Sequence, residues 1–132
     1  MTVRFHVHAL DDLRELKLSD PQAAASVAAA LQQVQADPDI VDLLTTFGDN
    51  SLGVQRINVK RWESARNRRG DLWRFRVLDS PGARTCRVIY GYHWPSREIT
   101  VLAIIDRRSR QFDYDNSENP LRQRILADWL AL

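Results

Sequence analysis

Arginines punctuate three apolar runs between residues 72 and 114, and this pattern constrains the fold more than any other feature of the chain. The runs read LWRFRV, TCRVIYGYHW and REITVLAIIDRRSRQFDY. In the first, Trp73, Phe75 and Val77 alternate with Arg74 and Arg76. A strand there puts apolar side chains on one face and guanidinium groups on the other. Arg87 opens the second apolar run, and Arg107, Arg108 and Arg110 close the third. Residues 99–105 are apolar at both parities, as in a central strand covered on both faces. Ser80-Pro81-Gly82 and Trp94-Pro95-Ser96-Arg97 supply the intervening hairpin turns. A sheet with aromatic packing on one side and guanidinium groups on the other suits a polyanionic ligand.

The charge distribution points the same way. The net charge of +2 over 132 residues conceals segregation: residues 1–53 hold three basic and eight acidic groups, whereas residues 54–110 hold 14 and five. Lys60 is the only lysine of that basic section. Arginine offers a planar, permanently charged fork matched to phosphate, and it stacks on bases. The length predicts a single domain over residues 1–132. Cys86 is the only cysteine, so no disulfide within the chain and no thiolate zinc site is expected. No apolar block resembles a signal peptide or a membrane span, which makes the cytoplasm the expected compartment.

Further elements follow from local signals. Val3, Phe5, Val7 and Ala9 alternate with Arg4, His6 and His8, predicting a half-buried first strand. Residues 11–17 suit a short helix. Asp20-Pro21 starts another, striped by Val27, Leu31 and Val34 until Asp37-Pro38. A short helix over residues 38–47 closes at Gly48, a turn-like loop spans 49–53, and a strand covers 54–61. The loop at 63–71 carries Glu63, Arg66, Arg68 and Arg69. Residues 115–132 form a helical extension from Asn119-Pro120, with Leu121, Ile125, Trp129 and Leu132 on one stripe. That stripe is expected to pack on its own domain, with packing between subunits of a homodimer as the alternative. His6 and His8 have metal-ligand spacing, but no cysteine or nearby carboxylate completes a site, so no metal is expected. His93 is a nominal acid–base group at a hairpin end.

The order strand, helices, strand meander, together with Trp73-Arg74-Phe75-Arg76, Cys86-Arg87-Val88-Ile89-Tyr90, Ile105-Asp106-Arg107-Arg108 and Phe112-Asp113-Tyr114, resembles the RelE/ParE superfamily of toxins from type II toxin–antitoxin pairs. The match covers residues 72–114 well and 2–39 by pattern; residues 39–71 are longer than the family leads one to expect. The resemblance implies an α+β fold, a small twisted antiparallel sheet with N-terminal helices packed on it, here with an extra C-terminal helix.

By that resemblance the RelE branch cuts messenger RNA on the ribosome without a metal or other cofactor. The ribose 2′-oxygen attacks the adjacent phosphate, leaving a cyclic phosphate and releasing the 5′-oxygen. The chemistry calls for a base, a cationic environment for the transition state and a proton for the leaving group. Carried over residue by residue, Arg87 and Arg108 match the phosphate-stabilising arginines and Tyr114 the tyrosine that orients or stacks on substrate. Arg76, with Arg74, stands where this branch often has lysines, which leaves the base unassigned because a guanidinium does not give up its proton. Arg74, Arg107, Arg110, Arg66, Arg68 and Arg69 become candidate RNA contacts. The implied partners are a cognate antitoxin, the ribosome and mRNA. A ParE-like inhibitor of DNA gyrase and a non-catalytic nucleic-acid-binding module are the alternatives, and fold alone does not separate them.

Overall fold

The chain begins with a strand cut short by a helix cap. In the computed structural model, which describes residues 3–53, 55–62, 71–80, 83–106, 108 and 119–132, strand β1 is only Val3–Phe5. Helix α1, Val7–Ser19, takes the rest of the expected strand. Ala9, Leu13 and Leu16 repeat at helical spacing and face the core, and this stripe wins over the period-two alternation. His6 caps the helix, its Nδ1 accepting from His8 N at 3.1 Å. Helix α2, Pro21–Ala36, starts as expected: Asp20 accepts from Ala23 N at 3.1 Å and Pro21 opens the first turn.

Helix α3, Ile40–Leu44, occupies the middle of the expected 38–47 helix. The segment expected as a loop is instead strand β2, Gly48–Leu52, entered through Gly48 at φ 100°. Its polar sequence hides the strand, whose pairing comes from its neighbour. Strands β3 (Gln55–Arg61), β4 (Asp71–Val77), β5 (Cys86–His93) and β6 (Glu98–Asp106) follow, and helix α4, Pro120–Leu130, comes last.

The six strands lie in the order β1-β6-β5-β4-β3-β2. All neighbours are antiparallel except β1, which runs parallel to β6. The fold is therefore α+β, with a mixed sheet rather than a purely antiparallel one. One face carries Ile57, Val59, Trp73, Phe75, Val77, Val88 and Tyr90, packed under α1, α2 and α3. Tyr90 is wholly buried there and donates its hydroxyl to Leu44 O at 2.7 Å; burial pushes its phenol well above the usual range. Burial likewise raises the Cys86 thiol, as suits a core residue.

The other face is covered in part by α4. Leu121, Ile125 and Trp129 meet Leu72, Ile89, Leu102, Ala103 and Ile105, so the C-terminal stripe packs on its own domain. Leu132 lies beyond the helix and is exposed, against its expected place in the stripe. β6 is covered on both faces and contributes to both cores, and its register against β5 slips by one residue: Ile89 pairs with Ala103 but Tyr90 with Val101. The slip sends Val101 and Ile104 to the helical core while Leu102, Ala103 and Ile105 face α4. Asp12 of α1 accepts from Ile104 N at 3.0 Å, and Arg124 of α4 reaches Leu102 O at 3.4 Å. The same two side chains form a two-pronged ion pair, at 3.1 and 2.8 Å. A helix from each face is thus clamped to the bulge.

Candidate nucleic-acid interface

The alternation of β4 fixes the site. With Trp73, Phe75 and Val77 in the helical core, Arg74 and Arg76 stand on the face that α4 covers only in part. Cross-strand pairing adds their neighbours: Lys60 lies opposite Arg74 and Asn58 opposite Arg76. On the other side Arg74 pairs with Ile89. Arg76 and Arg87 lie one step beyond the Phe75–Val88 pair and so are adjacent. Lys60, Arg74, Arg76 and Arg87 therefore form one cationic field across three strands, bordered by the apolar patch under α4. At that border the Arg122 guanidinium of α4 sits 5.2 Å from the centre of the Trp62 ring.

The four cations are held differently. Arg87 is only 7% exposed, and its Nη1 donates to Arg84 O at 2.9 Å and to Cys86 O at 3.3 Å. Nearby, Glu98 pairs with Arg4 and Asp106 with Arg108. Arg76 is half-buried, and its Nε meets no hydrogen-bond acceptor among the described residues. A desolvated donor with no acceptor is costly, and an anion is the species that would satisfy it. Lys60 is exposed. Lys60 and Arg74 stand opposite one another across β3 and β4, which concentrates positive charge at that point of the sheet. Lys60 is the residue the sequence reading passed over. Its signal was available: in a strand the alternation from Trp62 puts it on the same face.

Arg108 is engaged elsewhere. Its Nη2 donates to Asp106 Oδ2 at 2.8 Å and to Asp20 Oδ2 at 2.9 Å, which ties the end of β6 to the α1–α2 corner. The Asp106 and Asp20 carboxylates hold its guanidinium above the usual arginine range. In return Asp20 is lowered, first by the Ala23 N–H and then by Arg108. Burial raises Asp106, but the hydrogen bonds from Arg108 outweigh it and leave its carboxyl below the usual range. A groove of ≈ 550 Å³ beside it is lined by Asp12, Glu15 and Asp106 as well as Arg108. This acidic lining does not suit a phosphate. A phosphate approaching Arg108 must displace two carboxylates, whereas one approaching Arg76 displaces none among the described residues.

His93 bonds Ser96 at 2.7 Å in the β5–β6 hairpin, about 20 Å along the strand from Arg87 at roughly 3.3 Å per residue. Arg66, Arg68, Arg69, Arg107, Arg110 and Tyr114 lie outside the described residues. The two N-terminal histidines do meet a carboxylate, contrary to expectation: Asp128 of α4 lies 2.6 Å from His8 Nδ1 and 3.6 Å from His6 Nδ1. Among the described residues, no helix is long and apolar enough to cross a membrane. No protein-family model, no curated protein and no solved structure matches this chain.

Proposed function

We propose that this chain is a RelE-like toxin, a ribosome-dependent endoribonuclease that acts in the cytoplasm and is restrained by a cognate antitoxin. The observation that carries this reading is the field of Lys60, Arg74, Arg76 and Arg87 on one sheet face. In-line attack by a ribose 2′-oxygen forms a bond to the neighbouring phosphorus, and the bond to the 5′-oxygen breaks. The 2′-hydroxyl proton goes to a base and the 5′-oxygen takes one up. As the phosphorus becomes five-coordinate its non-bridging oxygens gain negative charge, which fixed guanidinium groups stabilise without reorganising. Arg76, lacking a hydrogen-bond acceptor for its Nε among the described residues, takes the phosphate oxygens. Arg74 and Arg87 flank it, and the buried Arg87 is held in place by Arg84 O.

Lys60, as an ammonium, can give a proton to the departing 5′-oxygen, which a guanidinium does not, and a ribosomal group or water takes the 2′-hydroxyl proton. Arg108 serves the site once an incoming phosphate or the ribosome releases it from Asp20 and Asp106. Tyr114 stacks on the substrate, and Arg66, Arg68, Arg69, Arg107 and Arg110 contact RNA by charge alone. An acidic antitoxin segment covering the cationic field matches the basic central section.

Induction of the chain in cells, with mapping of transcript 5′ ends, tests the assignment. New ends phased with codons support it. DNA-damage signalling without RNA cuts supports the gyrase reading, and normal growth with folded protein present counts against both toxin readings.

A further inference from the structure

We propose that His6, His8 and Asp128 form a binding site for a divalent first-row transition ion, with zinc as the natural probe. The proposal is independent of the RNA-cleaving reading. One ligand atom from each of the three residues can be chosen so that all lie within 4.8 Å of one another. The cluster joins the start of α1 to the end of α4, 120 residues apart between His8 and Asp128.

Two imidazoles and one carboxylate are the donor set of many first-row transition-metal sites and do not suit magnesium or calcium, which prefer all-oxygen shells. Tetrahedral zinc with ligands at about 2.0–2.1 Å needs its donors about 3.3 Å apart. The His8 Nδ1–Asp128 Oδ2 separation of 2.6 Å is shorter than that value, and the widest separation in the cluster, 4.8 Å at most, is longer. The widest separation must close by about 1.5 Å to reach it. The His8 side chain is 42% exposed and Asp128 only 13%, so the His8 ring is the freer of the two to move. The ring centroids of His6 and His8 lie 4.8 Å apart.

His6 Nδ1 already accepts from His8 N at the helix cap, so the nitrogen this ring has for the ion is Nε2. The one cation beside the cluster among the described residues is Arg124, with Nε 3.9 Å from Asp128 Oδ2. Both of its terminal nitrogens are engaged by Asp12, which offsets its charge and leaves the Asp128 oxygen to the histidines. Three protein ligands leave a fourth position for water, on the side where His8 is exposed. Bound metal would staple the β1–α1 junction to α4 and so stabilise the packing of α4 on the sheet.

The test is zinc titration of the untagged full chain by calorimetry, with cobalt absorption as a second readout. The expected result is one equivalent bound, a cobalt spectrum of low coordination number, and a melting temperature raised by zinc. His8→Gln and Asp128→Asn should each weaken zinc binding by about 10-fold or more. His6→Asn, which keeps an acceptor at the helix cap, should do the same, and His93→Gln should have no effect. Failure of the folded wild type to take up stoichiometric zinc overturns the proposal and leaves the three residues as a hydrogen-bonded tie. Unchanged uptake by a folded His8→Gln/Asp128→Asn variant, which would place the metal elsewhere, overturns it equally.

Discussion

Gly91→Ala is a one-carbon change whose outcome depends on how α4 packs. A Cβ at Gly91 would lie 2.5 Å from Trp129 Cζ3 and 2.6 Å from Cε3 and Cη2. The indole is 1% exposed and packed in the second core with Ile125, so it has no free space to enter. Overfilling a packed core costs about 1–3 kcal/mol. Complete expulsion of the indole would bring the loss towards the roughly 3–5 kcal/mol of a buried Trp→Ala change. For a domain of this size each kcal/mol lowers the melting temperature by roughly 3–5 °C, so a fall of roughly 3–15 °C is expected. The assay is thermal and urea unfolding of wild type, Gly91→Ala, Trp129→Ala and the double variant. With the indole gone the added methyl should be close to neutral, giving an interaction energy above about 1 kcal/mol. A Gly91→Ala protein as stable as wild type, or strictly additive effects, would refute this packing of α4.

Three further outcomes follow from the same contacts. Asp12→Ala removes the acceptor of Ile104 N and the partner of Arg124 together, and urea unfolding should show a loss of about 3–5 kcal/mol. Lys60→Gln removes one cation from the sheet face; stability should change by no more than about 0.5 kcal/mol, while RNA affinity at low salt falls. Arg108→Ala should lower the melting temperature at neutral pH. Because Asp20 and Asp106 titrate below the usual range when folded, the ion-pair stability is present above about pH 4 and lost as pH falls further. The gap between variant and wild type should therefore close below that pH.

Elements with strong periodicity were legible in the sequence. The arginine-bearing strands, the Asp20-Pro21 helix start and the stripe of α4 depend on local side-chain spacing, which the chain displays directly. Two elements were misread, the first where two local patterns compete and the second where tertiary pairing decides. Residues 7–9 alternate as a strand does, yet the His6 cap and the Ala9–Leu13–Leu16 stripe make them helix. Gly48–Leu52 is polar and turn-like, and is a strand because β3 supplies its partners. The site was legible in part. Arg74 and Arg76 share a face by simple alternation, but the addition of Lys60 needed the register of β3 against β4. The commitment of Arg108 to Asp20, 88 residues away, and the meeting of Asp128 with His6 and His8 are long-range facts with no local signal.

Cleavage of a messenger on programmed ribosomes, under single-turnover conditions, tests the central claim most directly. Arg76→Gln is the informative variant, because Arg76 Nε has no hydrogen-bond partner to orphan among the described residues and the fold should survive the change. If the cationic face of the sheet stabilises the phosphate in the transition state, wild type cuts and Arg76→Gln cuts about 10²–10³-fold more slowly at saturating ribosomes, with little change in melting temperature. A folded wild-type chain that leaves the messenger intact, or an Arg76→Gln variant that cuts at the wild-type rate, would contradict the account.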